Sequence, residues 1–565
     1  MKAVCRGLLP AALLLAATAG AAQDIEVAAQ AAGRPLPAGY FQRIRQDPDF
    51  FRPAGGWISR VSQDVAAGRA VGGDLPVVAI PALFFDSANP QYSADELGRV
   101  LFEGPAAEGT LREYYAEVSG GRLNIAGAAV PWVRTSLTRA QVVGSEWGLG
   151  DDSRVGEYLV EALALADVNT DFGLFDNDGP DNVPNSGDDD GTVDAVAFYF
   201  LEVSASCGGP GIWPHFSSIR SWNGQDFETN DPRPGGTNVR INSYFIQSIV
   251  NCAGDEISPI TTIAHELGHL LGLPDLYHPV DGLLPEQRRW VVGCWSLMAA
   301  GAWGCGEVGS RDSWRRPTHP GAWEKKTMGW LDAVEVVADE ELQVLTLAPV
   351  QTGGRILEIP LGLGERLLVE YRDRIGFDRD LPAAGVLVYR IDDTKPFRPC
   401  AECPPLYRVM LLEADGDSSL VKTALQGGNR GEAGDAYGAL GPGALTSLTE
   451  PSTRQDGGTG DDSGVNIYEI TVAQGTAQLV LSTAPFSLAR LLGPLLLDEV
   501  NQLTELEEEY LDGLNNRNGR YDVGDLRAYL QGGSGTATHT ATLQSDRATM
   551  RGAPARFRRI FPPPR

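Results

Sequence analysis

Basic residues are scarce in this chain of 565 residues, where 46 Lys and Arg stand against 74 Asp and Glu and the formal net charge is −28. Because a phosphate backbone repels such a chain, the composition argues against nucleic acid as a partner. Long apolar runs are also missing beyond the N-terminus, so no later segment is expected to span a bilayer. The hydrophobic fraction of 43% is ordinary for globular proteins, and the length allows about three or four domains.

The N-terminus carries the pattern of an export signal. Lys2 and Arg6 precede a short apolar run over 8–17, and the small residues 19–21 follow it. This order is typical of a secretory signal peptide, and the run is too short for a membrane anchor. We therefore expect residues 1–21 to be a signal peptide and the mature protein to be secreted, extracellular and soluble. Residues 22–73 are interpreted either as a removed propeptide or as an N-terminal extension of the catalytic domain.

Cysteine is infrequent, and one of the seven, Cys5, falls within the predicted signal peptide. An even number of cysteines in an oxidising compartment predicts disulfides. Proximity along the chain favours Cys207–Cys252, Cys294–Cys305 and Cys400–Cys403, although other connectivities are possible. The alternative is that these cysteines bind a zinc ion, in addition to the zinc site described next, but their spacings do not form two CxxC pairs.

Histidine is rare too, with six in the chain, yet two of them stand four residues apart in the stretch 261–277, TTIAHELGHLLGLPDLY. On a helix, His265 and His269 project from the same face, which suits two imidazole ligands of one zinc ion. Glu266 follows the first histidine and would reach a water on the metal. The alternative is a buried helix with two incidental histidines.

Residues on either side of this motif predict the ends of the helix. Ser258 and Pro259 are typical of an N-cap and a first helical residue. Gly272 can adopt the left-handed conformation that ends a helix, and Pro274 prevents the helix from resuming. The chain can then turn back and present Asp275 as a third zinc ligand. His278 is the alternative third ligand, since imidazole binds zinc well.

The segment HELGHLLGLPD resembles the HExxHxxGxxD signature of the immune inhibitor A family of secreted bacterial metallopeptidases, which are metzincin-like. The segment 294–301, CWSLMAAG, resembles the Met-turn that lies beneath the metal in that family, with Met298 as the methionine. Weaker similarities to the family are LFFD at 83–86, EYYAEVSGG at 113–121, IWPH at 212–215 and AWEKKTMGWL at 322–331. The resemblance extends over about 74–483.

The resemblance and the motif together imply a zinc endopeptidase that acts on proteins or peptides. Zinc would be held by His265, His269 and Asp275, and Glu266 would take the proton of the zinc-bound water. Met298 would form a hydrophobic base and not a ligand. A thermolysin-like enzyme with Glu286 as third ligand is a rival, but Glu286 lacks the surrounding NExxxD pattern. A catalytically silent, envelope-associated binding protein with a structural zinc site is a second alternative.

An acidic segment, 167–194, contains nine aspartates among turn-forming Gly, Asn and Pro. Carboxylates this dense repel one another unless a hard cation neutralises them. We expect structural calcium here, which the family resemblance also supports, and a solvated acidic loop is the alternative. The candidate ligands are Asp176, Asp178, Asp181, Asp188 and Asp190.

The alternation of strands and helices ahead of the zinc motif predicts an α/β, metzincin-like catalytic domain over 74–331. Short apolar strands over 332–485 predict a β-sandwich domain. Residues 486–535 are expected to be a small helical region with an EF-hand or dockerin-like repeat, and 536–565 a basic disordered tail that could contact the cell envelope. The candidate calcium ligands of the repeat are Asn516, Asn518, Asp522 and Asp525, while Leu514 replaces the usual aspartate at its first position.

Overall fold

The computed structural model describes residues 37–530, except 52–55, 279–287, 306–314, 337–342, 397–406, 439–442, 484–487, 497–502, 504 and 514. The predicted signal peptide, the Cys400–Cys403 pair, Glu286, Leu514 and the basic tail lie outside the described residues. The chain divides into two compact units. The described residues of Met1–Val337, Thr346–Gly441 and Thr471–Gln478 belong to the first, and those of Ala338–Leu345, Pro442–Ile470 and Leu479–Arg565 to the second.

A mostly parallel sheet forms the centre of the first unit. Its strands run in the order β2-β1-β4-β8-β5, with β3 also pairing with β1. The pairs that β1 makes with β2 and β4, and that β4 makes with β8, are parallel, whereas β5 is an antiparallel edge strand beside β8. The strands are β1 Gly73–Leu83, β2 Leu123–Ala129, β3 Val133–Arg134, β4 Ala195–Phe200, β5 His215–Ser218 and β8 Ser243–Ser248, with β6 Phe227–Pro232 and β7 Asn238–Ile241 forming a separate hairpin.

Helices and short turns surround this sheet. The helices of the first unit are α1 Ala38–Gln46, α2 Gly56–Ala66, α3 Ala94–Gly98 (continued by a π-helical turn, Arg99–Glu103), α4 Leu111–Val118, α5 Arg139–Val143, α6 Val155–Ala166, α7 Ile219–Asn223, α8 Thr261–Leu270 and α9 Ala322–Thr327. One hydrophobic cluster joins α4 and α8 to Val77 and Ala79 of β1, and a second joins α6 to Val78 and Ile80 of the same strand. Because consecutive residues of a strand face opposite sides, these two clusters cover both faces of the sheet.

The local sequence accounts for these elements. Residues 75–83 of β1 are all buried, as expected for a near-continuous apolar strand in a parallel sheet. Helix α4 begins with a capping box in which Thr110 and Glu113 exchange side-chain and backbone hydrogen bonds. The α/β character predicted for this region is therefore confirmed. The predicted helix start at Ser258 is wrong, because α8 begins at Thr261 and the Ser258 hydroxyl donates only to the Pro259 carbonyl.

A second sheet of the first unit follows residue 331, where the sequence predicts the catalytic domain to end. It has the order β14-β13-β12-β11-β9 and consists of β9 Ala333–Glu335, β11 Ile356–Gly362, β12 Glu365–Arg372, β13 Gly385–Asp392 and β14 Val409–Leu411. The eight residues of β13 are all buried. The β-sandwich stays a prediction.

The chain also forms a three-stranded sheet and, after it, three helices. The strands, in the order β10-β16-β15, are β10 Gln343–Leu347, β16 Thr476–Ser482 and β15 Asn466–Ala473, and the helices are α10 Leu488–Leu496, α11 Glu505–Gly513 and α12 Val523–Leu530. Leu491, Leu503, Leu511 and Leu526 form a small hydrophobic cluster among these helices. Within the described residues, every helix is too short or too polar to cross a bilayer.

Candidate metal centre and active site

Helix α8 carries the two histidines on one face, and the turn that follows it brings an aspartate to them. Gly272 has a φ of +79° and ends the helix in the left-handed region. The Leu273 amide then donates to the Gly268 carbonyl at 3.0 Å, which closes the turn. As a result Asp275 Oδ1 lies 3.2 Å from His265 Nε2 and 3.5 Å from His269 Nε2.

Backbone carbonyls fix the orientation of both imidazoles. The Nδ1 atom of His265 lies 3.0 Å from the Leu297 carbonyl oxygen, and that of His269 lies 2.8 Å from the Leu273 carbonyl oxygen. A neutral imidazole has one N–H, and donating it from Nδ1 leaves a lone pair on Nε2. Two such lone pairs and a carboxylate oxygen within 4.8 Å of one another repel unless a cation lies between them.

The donor set matches the metal that the sequence motif predicts. Two imidazole nitrogens and one carboxylate oxygen are a usual catalytic zinc set, which leaves a further position for water or substrate. Burial alone would raise the pKa of Asp275, but attraction to the two neighbouring imidazoles in their protonated, metal-free form holds it well below its usual range. The carboxylate is therefore an anion at neutral pH, as a metal ligand must be.

Glu266 lies beside this group and has a buried carboxyl. Its side chain is 8% exposed, and it makes no hydrogen bond with the residues that the structure describes. Burial raises its pKa, and the adjacent histidines act in the opposite direction. A general base needs a carboxylate that no protein group already occupies, and Glu266 meets that requirement.

Met298 packs directly against α8 between the two histidines. A Cβ atom added to Gly268 would lie 2.6 Å from the Met298 sulfur, so only glycine permits this approach. The Met298 side chain is fully buried, its backbone amide donates to the Ser296 hydroxyl oxygen at 3.0 Å, and its carbonyl accepts from the Leu276 amide at 2.8 Å. The methionine turn and the turn carrying Asp275 are therefore joined by a backbone hydrogen bond.

The other segments that resemble the family support α8 and the methionine turn. The Tyr115 hydroxyl donates to the carbonyl of Ala264, the residue before His265, at 2.6 Å. The Ser296 hydroxyl donates to Glu324 of α9 at 2.6 Å. His215 of the edge strand is instead structural, because it is buried and contacts the Trp213 carbonyl and the Tyr244 hydroxyl.

The predicted disulfides Cys207–Cys252 and Cys294–Cys305 are confirmed. The second closes a loop of 11 residues that contains Met298. His278, the alternative third ligand, does not join the group formed by His265, His269 and Asp275. Its backbone amide pairs with the Arg289 carbonyl, and its ring lies 5.7 Å from that of Tyr407.

The acidic segment brings together part of the predicted calcium set. Asp176, Asp178 and Asp189 place oxygens within 4.8 Å of one another, whereas Asp181, Asp188 and Asp190 lie outside this group. Asp176 is 1% exposed, and neither of its oxygens has a hydrogen-bond partner among the described residues. Burial, followed by the neighbouring aspartates, raises its pKa to about 7. Asp189 stands in a run of three aspartates, and the sequence offered no signal to choose it over its neighbours.

The candidate calcium loop near the C-terminus is a compact turn between α11 and α12. Asp522 accepts hydrogen bonds from the amides of Asn516 and Asn518, each at 2.9 Å. Asp512, which the sequence pattern did not include, accepts from the backbone amides of Asn518 and Gly519. Asp512 thus caps the loop from two residues before the position where the repeat usually has its first aspartate.

Comparisons with known proteins agree with this geometry. Residues 93–331 match the family model described as "Immune inhibitor A peptidase M6, catalytic domain". The chain is 28% identical over 259 residues to the pre-pro-metalloprotease PrtV of Vibrio cholerae, and the match covers 43% of this chain and 26% of PrtV. It is 26% identical over 248 residues to immune inhibitor A of Bacillus thuringiensis subsp. alesti, covering 40% of this chain and 34% of the relative.

The matched region contains every residue of the candidate zinc centre, its methionine turn and the supporting helix α9. The chain aligns with only about a quarter to a third of the length of these curated relatives. Within that region, the family match coincides with the convergence of His265, His269 and Asp275 beside Glu266. Residues 93–331 therefore match the immune inhibitor A family of metallopeptidases at its catalytic domain.

Proposed function

We propose that this protein is a secreted zinc-dependent endopeptidase that hydrolyses peptide bonds of proteins. The observation that carries the proposal is the meeting of His265 Nε2, His269 Nε2 and a carboxylate oxygen of Asp275 within 4.8 Å. These three residues would hold the zinc, and Glu266 would act as the general base. Two disulfides favour an oxidising, extracellular location.

Zinc bound there supplies a Lewis acid and lowers the pKa of a coordinated water to about 7. Glu266 accepts the proton of the attacking water and later delivers it to the leaving amine. The carbonyls of Leu297 and Leu273 hold the imidazoles in the tautomer that keeps Nε2 available. Burial of Glu266 strengthens its interaction with a nearby proton, because the surroundings have a lower dielectric constant than water.

The variant Glu266→Gln tests this role, since glutamine keeps the shape but cannot accept the proton. With an unfolded generic protein as substrate, we expect activity to fall by about 10²- to 10⁴-fold while zinc content stays unchanged. The matched control is Glu103→Gln, which alters an exposed glutamate away from the centre and should leave activity at the wild-type level. Wild-type activity in Glu266→Gln would contradict the proposal.

A second measurement separates the peptidase from a silent binding protein. Zinc-loaded wild type should hydrolyse the substrate, either directly or after removal of residues 22–73. A protein that binds zinc but hydrolyses nothing in both forms would support the binding-protein alternative. Removal of zinc by a chelator should abolish hydrolysis, and adding zinc back should restore it.

We also propose that Asp176, Asp178 and Asp189 bind a structural calcium ion. The unpartnered, buried oxygens of Asp176 support this, because a buried carboxylate without a partner is unfavourable. We expect Asp176→Asn to bind one calcium fewer per chain by calorimetry, whereas the matched variant Asp181→Asn keeps the wild-type number. Equal calcium binding by both variants would refute this assignment.

Calcium at the loop of Asn516, Asn518, Asp522 and Asp525 is a separate proposal, supported by a buried oxygen of Asp525 that has no partner among the described residues. Asp525→Asn should remove one calcium from the total and lower the thermal stability of the C-terminal helices in calcium-containing buffer. An unchanged calcium count would refute it.

A further inference from the structure

A third cluster of acidic side chains lies near the five-stranded sheet of the first unit, outside every site predicted from the sequence. Glu413 and Asp415 follow strand β14, and Asp435 lies 20 residues beyond Asp415 in the chain. One carboxylate oxygen from each of these three residues lies within 4.8 Å of the other two. Asp415 also forms such a group with the exposed Asp417 and Glu432. The name "acidic loop" is used below for residues 413–435.

Two of these carboxyls are buried. Glu413 is 5% exposed and Asp435 is fully buried. Asp435 Oδ2 accepts the Trp295 indole N–H at 2.7 Å and the Glu432 amide at 3.0 Å. Its other oxygen, Oδ1, is buried and has no hydrogen-bond partner among the described residues. A buried carboxylate oxygen without a partner, beside two further carboxylates, is a position that a bound cation would stabilise.

Protein cations do not neutralise this group. None of the five carboxylates of the acidic loop forms an ion pair with a Lys or Arg in the part of the chain that the structure describes, and Lys422 donates to the Asp417 backbone carbonyl instead. Burial, with smaller contributions from neighbouring carboxylates, raises the pKa of Glu413 to about 8 and that of Asp435 to about 7. Within the described residues, these five acids therefore lie together without an ion pair to Lys or Arg.

The acidic loop is also bonded to the segment that carries the methionine turn. The amides of Trp290 and Val291 donate to the Leu420 carbonyl at 3.0 and 2.9 Å, and the Cys294 amide donates to the Arg430 carbonyl at 2.6 Å. The Arg430 side chain in turn donates to the carbonyls of Ala300 and Gly304. Together with the Trp295–Asp435 bond, these contacts span residues 290–304, on both sides of Met298.

We propose that Glu413, Asp415 and Asp435 bind a divalent cation of the calcium type, and that this ion fixes the acidic loop against the segment holding the methionine turn. Carboxylate oxygens without nitrogen or sulfur donors suit a hard cation. Calcium takes about six to eight oxygen ligands, so Asp417, Glu432 and water would complete its coordination from the exposed side. The ion would be distinct from the zinc and from the other proposed calcium ions.

Asp415→Asn is the most direct test, because among the described residues the hydrogen bond recorded for the Asp415 side chain comes from the Asp417 amide, within the acidic loop itself. In the full-length, zinc-loaded protein, we expect calorimetric titration with calcium chloride to find one ion fewer per chain than in wild type. Glu335→Gln, which alters an exposed glutamate of β9, is the matched control and should retain the wild-type number. An unchanged number in Asp415→Asn would overturn the proposal.

Hydrogen–deuterium exchange tests the link to the methionine turn. Calcium should slow exchange of the amides of Trp290, Val291 and Cys294 several-fold in wild type, but not in Asp415→Asn. Exchange that responds to calcium equally in both proteins would overturn the coupling. Neither measurement requires peptidase activity, so failure of the proposed function would not affect the result.

A direct location of the ion covers the case in which Asp415→Asn does not fold. Wild-type crystals grown with terbium, which replaces calcium, should give an anomalous scattering peak between the carboxylates of Glu413, Asp415 and Asp435. Crystals with terbium peaks elsewhere but none at this position would overturn the proposal.

Discussion

Gly268→Ala is a sharp test of how the proposed zinc centre is built. By intrinsic helix propensity alone, replacing a glycine inside a helix with alanine stabilises by about 1 kcal/mol. In this protein the new Cβ would lie 2.6 Å from the Met298 sulfur, about 1 Å inside ordinary van der Waals separation. The methionine cannot withdraw easily, because its side chain is fully buried and its backbone amide and carbonyl are both hydrogen-bonded.

Overpacking of a core of this kind costs about 1–3 kcal/mol. We therefore expect Gly268→Ala to destabilise the first unit by up to about 2 kcal/mol, after the propensity gain is subtracted. Since Gly268 stands between the two histidines, zinc affinity should also fall by about tenfold or more, as for other changes to the surroundings of metal ligands. The measurements are urea unfolding in excess zinc and competition with a zinc chelator.

A double-mutant cycle identifies Met298 as the cause. Met298→Ala alone should cost about 2–5 kcal/mol through the cavity it leaves. In the double variant, the alanine at position 268 no longer contacts the methionine sulfur. The loss of stability in the double variant should therefore be smaller than the sum of the two single losses by at least about 1 kcal/mol. Gly98→Ala is the control, because a Cβ there meets its nearest neighbour at an ordinary 3.9 Å. Stabilisation by Gly268→Ala, or strict additivity in the cycle, would refute the packing argument.

Three further predictions concern the support of the methionine turn. Burial, with Glu370 adding to it, raises the pKa of Glu324 from 4.5 to about 7. The stability of wild type relative to Glu324→Gln should therefore decrease as pH rises through this window. A difference in unfolding free energy that is the same at pH 5 and pH 8 would contradict this prediction. Replacing both Cys294 and Cys305 with serine should cost about 2–3 kcal/mol in non-reducing urea unfolding, and equal stability would argue against a structural disulfide. Tyr115→Phe should cost about 1 kcal/mol through loss of the bond to the Ala264 carbonyl, and thermal unfolding at the wild-type temperature would show that this bond contributes nothing.

Local signals in the sequence predicted the secondary structure near the site well. Helix α4 spans Leu111–Val118, and the capping box of Thr110 and Glu113 at its start is a signal that the local sequence carries. Residues 75–83 of β1 are all buried, which agrees with the near-continuous apolar run in its sequence. The start of α8 was predicted wrongly at Ser258, because the N-cap propensity of serine is a weak local preference and here the chain enters the helix later, at Thr261.

The acidic sites show where prediction from sequence reaches its limit. The composition of 167–194 predicts a calcium site with five aspartate ligands. In the structure, only Asp176 and Asp178 of those five come together, and Asp189 is the third member of their group. Glu413 and Asp435 are 22 residues apart in the chain, and no spacing pattern relates them. The conformation of the loops decides which carboxylates come together. Such loops have no periodic sequence pattern, so their conformation cannot be predicted from a single sequence.

The sequence by itself determined the chemistry of the centre. The pair His265 and His269 share a helix face because helical geometry is local, and Gly272 with Pro274 ends the helix soon enough to return Asp275 to them. Only the tertiary structure decided what surrounds that centre: the Met298 sulfur against Gly268, the carbonyls that orient the imidazoles, and the acidic loop bonded to residues 290–304. These contacts join segments distant in the chain, and packing of the whole unit brings them together.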